Sequence, residues 1–232
     1  MKPLIKREIK EFYIREPRSI IIAFVVLIYL FSVSISEFSN IQMPLMKTLM
    51  IYILPIAVFM LFSSTMLGRQ FHQEIIERKI EILLGIGYSS SQIWFAKTIT
   101  LCLTLYLLFT INLVFANIIS FYMGNGTLLM SLSCIQIIVF LIFAPLTGLS
   151  IVAFMGFLLL ITKDAAIVRY VPIILFGIML FIFNKLDGST KILSVGININ
   201  LVVIFSSIII SICFIIIPFI ILKAVKKERF II

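Results

Sequence analysis

Between positions 71 and 97 the chain reads FHQEIIERKIEILLGIGYSSSQIWFAK, a run that carries His72, Glu74, Glu77, Arg78, Lys79 and Glu81 within ten residues of one another. These side chains can exchange protons or hold metals, so the segment is the first place to look for catalysis. His72 is the only histidine in the chain. A zinc helix needs a second imidazole one turn away, and HQE does not supply it. No nucleophile stands beside a base in a way that would activate it. A phosphate-cradling loop of the form G-x-x-x-x-G-K-[ST] is missing as well, and MGNGT at 123–127 reads as a turn. Cys102, Cys134 and Cys213 are odd in number and fall inside apolar runs, which predicts buried, inert thiols and no disulfide framework. The expectation is a protein that is not an enzyme and binds neither cofactor nor metal itself.

The elements around this segment must therefore explain it. Of 232 residues, 62% are hydrophobic and 12% charged, against roughly 25% charged in a soluble domain, and the mean hydropathy is +1.24. Apolar runs reach the ~20 residues that cross a bilayer as helix, well beyond the ~10 alternating residues of a barrel strand. An all-α integral membrane protein follows, read as one domain over 1–232. Six spans are predicted, at 20–35, 48–67, 93–123, 128–161, 165–183 and 197–222.

Charge orients these spans. With the N-terminus placed inside, only Lys47, Lys185 and Lys191 of the 19 Lys and Arg residues fall outside. That asymmetry predicts cytoplasmic termini, with 223–232 as a cytoplasmic tail and 70–90 as the one long inside loop. The net charge of +9 is thus accounted for by membrane topology, without nucleic acid. A competing reading takes 1–36 as a cleaved signal peptide ending in SVSIS; it would leave five spans and the wrong side inside. Over 2–17, Leu4, Ile5, Ile9, Phe12 and Tyr13 share one helical face and Lys6, Arg7, Lys10 and Glu11 the other, predicting a helix that lies along the inner surface until Pro17 lets the chain turn.

No ionisable side chain falls near the middle of a predicted span, which disfavours an ion-coupled carrier, where charge at depth marks the coupling site. Asn112, Asn117 and Gln136 are the deepest polar side chains and are expected to bond between helices. The fourth run is longer than a bilayer requires, and Pro145 and Gly148 within APLTG mark it for a kink, either a gate hinge or passive packing.

In the charged loop, Glu74, Glu77 and Glu81 at i, i+3 and i+7 are expected to form one acidic stripe with Arg78 beside it, and isoleucines and leucines to cover the rest. Gly85 and Gly87 end this helix, one of Ser89, Ser90 and Ser91 caps the next, and Trp94 anchors that helix at the membrane interface.

The run ERKIEILLGIGYSSSQIWFAK resembles the cytoplasmic loop of permease subunits of type-2 ATP-binding cassette exporters. Glu77, Glu81, Leu83, Leu84, Ser89 and Lys97 carry the resemblance; Arg78 and Lys79 stand where Gly-Thr is usual, and Gly87 where proline is usual. Six spans, the surface helix and the lack of a nucleotide-binding domain extend it over the chain. The resemblance implies that the loop is a coupling helix, with Glu74, Glu77, Arg78, Glu81, Leu83, Leu84 and Ser89 docking onto a separate ATPase. It further implies two ATPase copies holding ATP and magnesium, and a second permease, identical or homologous, forming the path with this one. Expected cargo is hydrophobic or amphipathic, a peptide or drug, exported across a bacterial plasma membrane. The rivals are a non-transporting immunity or sensor protein and an ion-coupled secondary carrier.

Overall fold

The computed structural model describes residues 2–15, 44–67, 73–122, 132–162 and 199–224, together with 21, 25, 164, 166, 170–175, 177 and 178. Among these the chain is helical and holds no strand. The elements used below are α1 (Lys2–Arg15), α2 (Pro44–Leu67), α3 (Gln73–Ile76), α4 (Lys79–Gly85), α5 (Ser90–Tyr122), α6 (Cys134–Ile138) running through a π turn (Val139–Phe143) into α7 (Ala144–Thr162), and α8 (Ile199–Ala224). The first and fifth predicted spans and the loop 184–196 lie largely outside the described residues.

Among the described residues three helical stretches are long and apolar enough to cross a membrane: Ser90–Ile119, Cys134–Thr162 and Leu201–Ala224. A shorter apolar segment, Ile51–Met60, lies within the 24-residue α2. α5 has 33 residues, about 50 Å at a rise of ~1.5 Å each, and so outruns a ~30 Å hydrocarbon layer. The start of α6 falls later than the pattern of apolar residues predicts. Ser133 sets it: its side chain accepts from the Gln136 N–H while the Gln136 side chain accepts from the Ser133 N–H, a reciprocal cap that satisfies two end donors.

α7 is the centre of the bundle, packing against α2, α5 and α8. Its approach to α2 is set by Gly148, where an added Cβ would stand 2.7 Å from Phe59 Cδ2 and 3.0 Å from Phe59 Cβ. Gly148 is therefore a point of close contact between two helices. Phe59, Phe109 and Phe140, all fully buried, pack in sequence as tilted ring pairs with centroids 5.4 and 5.7 Å apart and join α2, α5 and the π turn. Next to them, Tyr52 lies 3.3 Å from Thr147 Oγ1 and accepts from Ser207 Oγ at 3.1 Å, which joins α2, α7 and α8 through hydroxyls.

Proline acts upstream of its own position. Pro145 has no N–H to give to Leu141 O four residues back, and the helix passes this point through the π turn, in which the Ala144 N–H reaches Val139 O. Tyr106 Oη of α5 donates to Leu141 O at 3.4 Å. Asn112 differs from expectation: its amide donates to its own helix, to Leu108 O at 2.6 Å, and Asn117 makes the same kind of bond to Leu113 O at 2.7 Å. A carbonyl one turn back is always within reach of such a side chain, whereas a partner helix must be placed for it. Trp94 differs too. It is buried, and its indole N–H donates to Ala153 O at 3.0 Å, so it fastens α5 to α7 instead of facing lipid.

Candidate functional site

The segment from Gln73 to Ser90 folds as two short helices with a break between them. Arg78 sits at φ +53°, the left-handed region, and stands as the N-cap of α4. A side chain at positive φ opposes its own carbonyl, so one continuous helix through Glu74, Glu77 and Glu81 is not formed. The stripe divides as a result. Glu74 on α3 turns inward and is buried, Glu77 is exposed and pairs with Lys79 at 2.5 Å, and Glu81 is partly exposed on α4.

α4 ends in a Schellman turn. Tyr88 N–H bonds Leu83 O and Gly87 N–H bonds Leu84 O, both at 3.2 Å, with Gly87 at φ +108°. Glycine alone takes that conformation at no cost. Ser89 then starts α5: its Oγ accepts from the Gln92 N–H at 3.2 Å, and its own N–H donates to Gln92 Oε1 at 3.0 Å. Leu83, Leu84 and Ile80 are buried, while Ile76, Ile82 and Ile86 stand 68, 59 and 68% exposed. The isoleucines of this segment thus serve two surfaces, one inward and one outward.

What fixes the segment to the bundle is Lys97 of α5. Its side chain is fully buried, and Nζ donates to Glu8 Oε2 of α1 at 2.8 Å and to Glu74 Oε2 of α3. An isolated buried ammonium would cost several kcal/mol, and two carboxylates converging on it offset that cost. Burial holds the Glu74 carboxyl above the usual carboxylate range, against the opposing pull of Lys97, with Glu8 and Glu11 adding to the rise. Around the cluster, Arg7 bonds Glu11 at 2.8 Å on the exposed side of α1.

Glu8 was not singled out by the sequence reading, although a signal exists. It stands one turn after Leu4 on the stripe that α1 buries, with Leu4 at 2% and Glu8 at 3% exposure. A carboxylate on an apolar stripe implies a cation on whatever packs there. Lys97 enters the sequence reading only as one of the residues that carry the resemblance, without a partner named for it. Pro145 and Gly148 both lie in α7, Gly148 against Phe59 of α2. Among the described residues no group of three His, Cys, Asp or Glu is placed to hold a metal ion. The geometry suits mechanical linkage: three elements tied by one cation, with an exposed apolar patch on the outer side.

Comparison of the chain with protein-family models, with curated proteins and with solved structures finds no match in any of the three.

Proposed function

We propose that the chain is the membrane-spanning subunit of an ATP-driven exporter of the type-2 ATP-binding cassette class. One observation supports this above the others: residues 73–90 form a folded, buried-cation-fastened segment that still exposes Ile76, Ile82 and Ile86 beside Glu77, Arg78 and Lys79. A solvated connecting loop needs neither the ion cluster nor the apolar patch. Exposed large apolar side chains rimmed by charge suit a protein partner, and a stiff fastening to α5 suits the passage of a displacement into the membrane. The left-handed backbone at Arg78 adds support, because the resembling loops carry glycine there and glycine is the residue such a backbone favours.

On this reading the chain crosses a bacterial plasma membrane six times with both termini inside. It pairs with a second permease, identical or homologous, and couples to two ATPase copies that hold ATP and magnesium. The cargo is hydrophobic or amphipathic, a peptide or drug, since the helices among the described residues offer aromatic, aliphatic and hydroxyl groups at depth.

Inverted vesicles containing this chain and its ATPase test the reading. ATP should drive uptake of an apolar peptide, and replacing Ile76, Ile82 and Ile86 together with Asp should abolish both uptake and ATPase co-purification while the subunit stays folded in the membrane. Uptake that follows an ion gradient and survives loss of the ATPase would overturn it.

A further inference from the structure

The ion cluster is unbalanced. Two carboxylates, Glu8 and Glu74, share one ammonium, Lys97, and their exposures are 3, 6 and 0%. Fully ionised, the three groups hold a net charge of −1 away from water. Buried excess charge is relieved in proteins by proton uptake at much lower cost than by leaving it ionised.

The neighbouring groups decide where the proton goes. From α1, Glu74 faces the carboxylates of Glu8 and Glu11, and from α5 the ammonium of Lys97. Among the described residues Arg7 is a further cation near the cluster, engaged by Glu11 and acting on Glu8 more strongly than on Glu74. On α4, Lys79 is taken by Glu77 and Glu81 is partly exposed. Glu74 therefore meets two carboxylates, Glu8 and Glu11, against the one ammonium of Lys97. Its direction of titration, raised chiefly by burial, agrees with that placement.

We infer that the Glu8–Lys97–Glu74 cluster is a proton-binding site, taking one proton from solvent onto the Glu74 carboxylate and fastening α3 to α1 and α5 more tightly in that form. The balance is simple: Glu74 goes from carboxylate to carboxylic acid, the cluster from −1 to neutral, and Lys97 stays an ammonium bonded to Glu8. The protonated Glu74 keeps a carbonyl oxygen to accept from Lys97 and gains an O–H to donate. Repulsion between the carboxylates disappears, while both links to Lys97 persist. The site makes the seating of residues 73–85 responsive to pH, and it stands whether or not the chain moves cargo.

Infrared difference spectroscopy of the full chain in lipid, titrated from neutral to mildly acidic pH, reads this directly. The carbonyl stretch of a protonated carboxylic acid should appear at higher pH than for exposed glutamates. It should vanish in Glu74→Gln, persist in Glu81→Gln, and move to lower pH in Glu8→Gln, where the cluster becomes one carboxylate to one ammonium. The wild-type titration needs no variant to fold. Absence of the early band, or its survival in Glu74→Gln, would overturn the site, and a band unmoved in Glu8→Gln would reduce it to burial of a single residue and overturn the shared cluster.

Discussion

Lys97 Nζ meets Glu8 Oε2 at 2.8 Å across 89 positions of sequence, and the same nitrogen bonds Glu74, 23 positions away. One cation thus holds the N-terminal helix and the segment between the second and third predicted spans against α5. This contact is the hinge of the molecule's organisation, because α3 is four residues long and cannot hold its place by helix propensity alone.

Removing the cation should be costly. Lys97→Met leaves two buried carboxylates without a partner and is expected to destabilise the chain by ~3–5 kcal/mol, as for other broken buried ion pairs. Adding Glu8→Gln and Glu74→Gln to Lys97→Met should recover most of that loss, since neutral amides replace the orphaned charges. Thermal unfolding in detergent measures both. A Lys97→Met chain as stable as the wild type would mean that the cluster is hydrated and contributes little.

Stability should depend on pH through Glu74. Its folded carboxyl titrates above the ordinary value of 4.5, so the folded state binds the proton more readily than the unfolded one. The stabilisation is full below the unfolded value and is lost as pH rises through the folded one. Unfolding temperature should fall between mildly acidic and neutral pH in the wild type, and this slope should flatten in Glu74→Gln. A slope of opposite sign in that window would contradict the burial seen at Glu74.

Backbone conformation separates the two glycines of the α4 turn. An added Cβ meets nothing within 4 Å at either, but only Gly87 has positive φ, at +108°. Gly87→Ala should cost ~1–2 kcal/mol from backbone strain alone, while Gly85→Ala, inside α4, should stabilise by ~0.5–1 kcal/mol. Arg78→Gly should likewise be neutral or stabilising, given its φ of +53°. Chemical denaturation of the three variants gives the order directly; equal effects of the two alanines would show that the Schellman turn is not kept.

Gly148→Ala forces a methyl against Phe59, whose Cβ would be 3.0 Å away and cannot swing clear as the ring can. The expected cost is ~1–3 kcal/mol from overpacking, relieved in part by pairing it with Phe59→Ala, which removes the Cδ2 and Cγ that the methyl would meet at 2.7 and 3.1 Å. A double-mutant cycle on unfolding temperature should show a clear coupling between the two positions, and additivity would place the close contact elsewhere.

The residues themselves determined that the described chain is helical, with helices long and apolar enough to cross a membrane, because long apolar runs are a property of local composition and need no knowledge of partners. Local too were the caps: a serine among Ser89, Ser90 and Ser91 to begin α5 and the glycines 85 and 87 to close α4 follow from donor geometry and glycine's freedom, while the structure selects Ser89 as the cap and Gly87 as the positive-φ residue. The side-chain destinations were not local. Glu74 was read from a helical wheel as part of a solvent-facing stripe, and the left-handed turn at Arg78 sends it inward instead. Trp94 suited a membrane interface by type, yet Ala153 O claims its indole. Gly148 can be read from its type as hinge or as packing, and that Phe59 stands against it is decided only by how α2 meets α7. Above all, the convergence of Glu8, Glu74 and Lys97 depends on how α1, α3 and α5 pack. A wheel records which way a side chain leaves its own helix, and only the tertiary structure decides what charge waits on the other side.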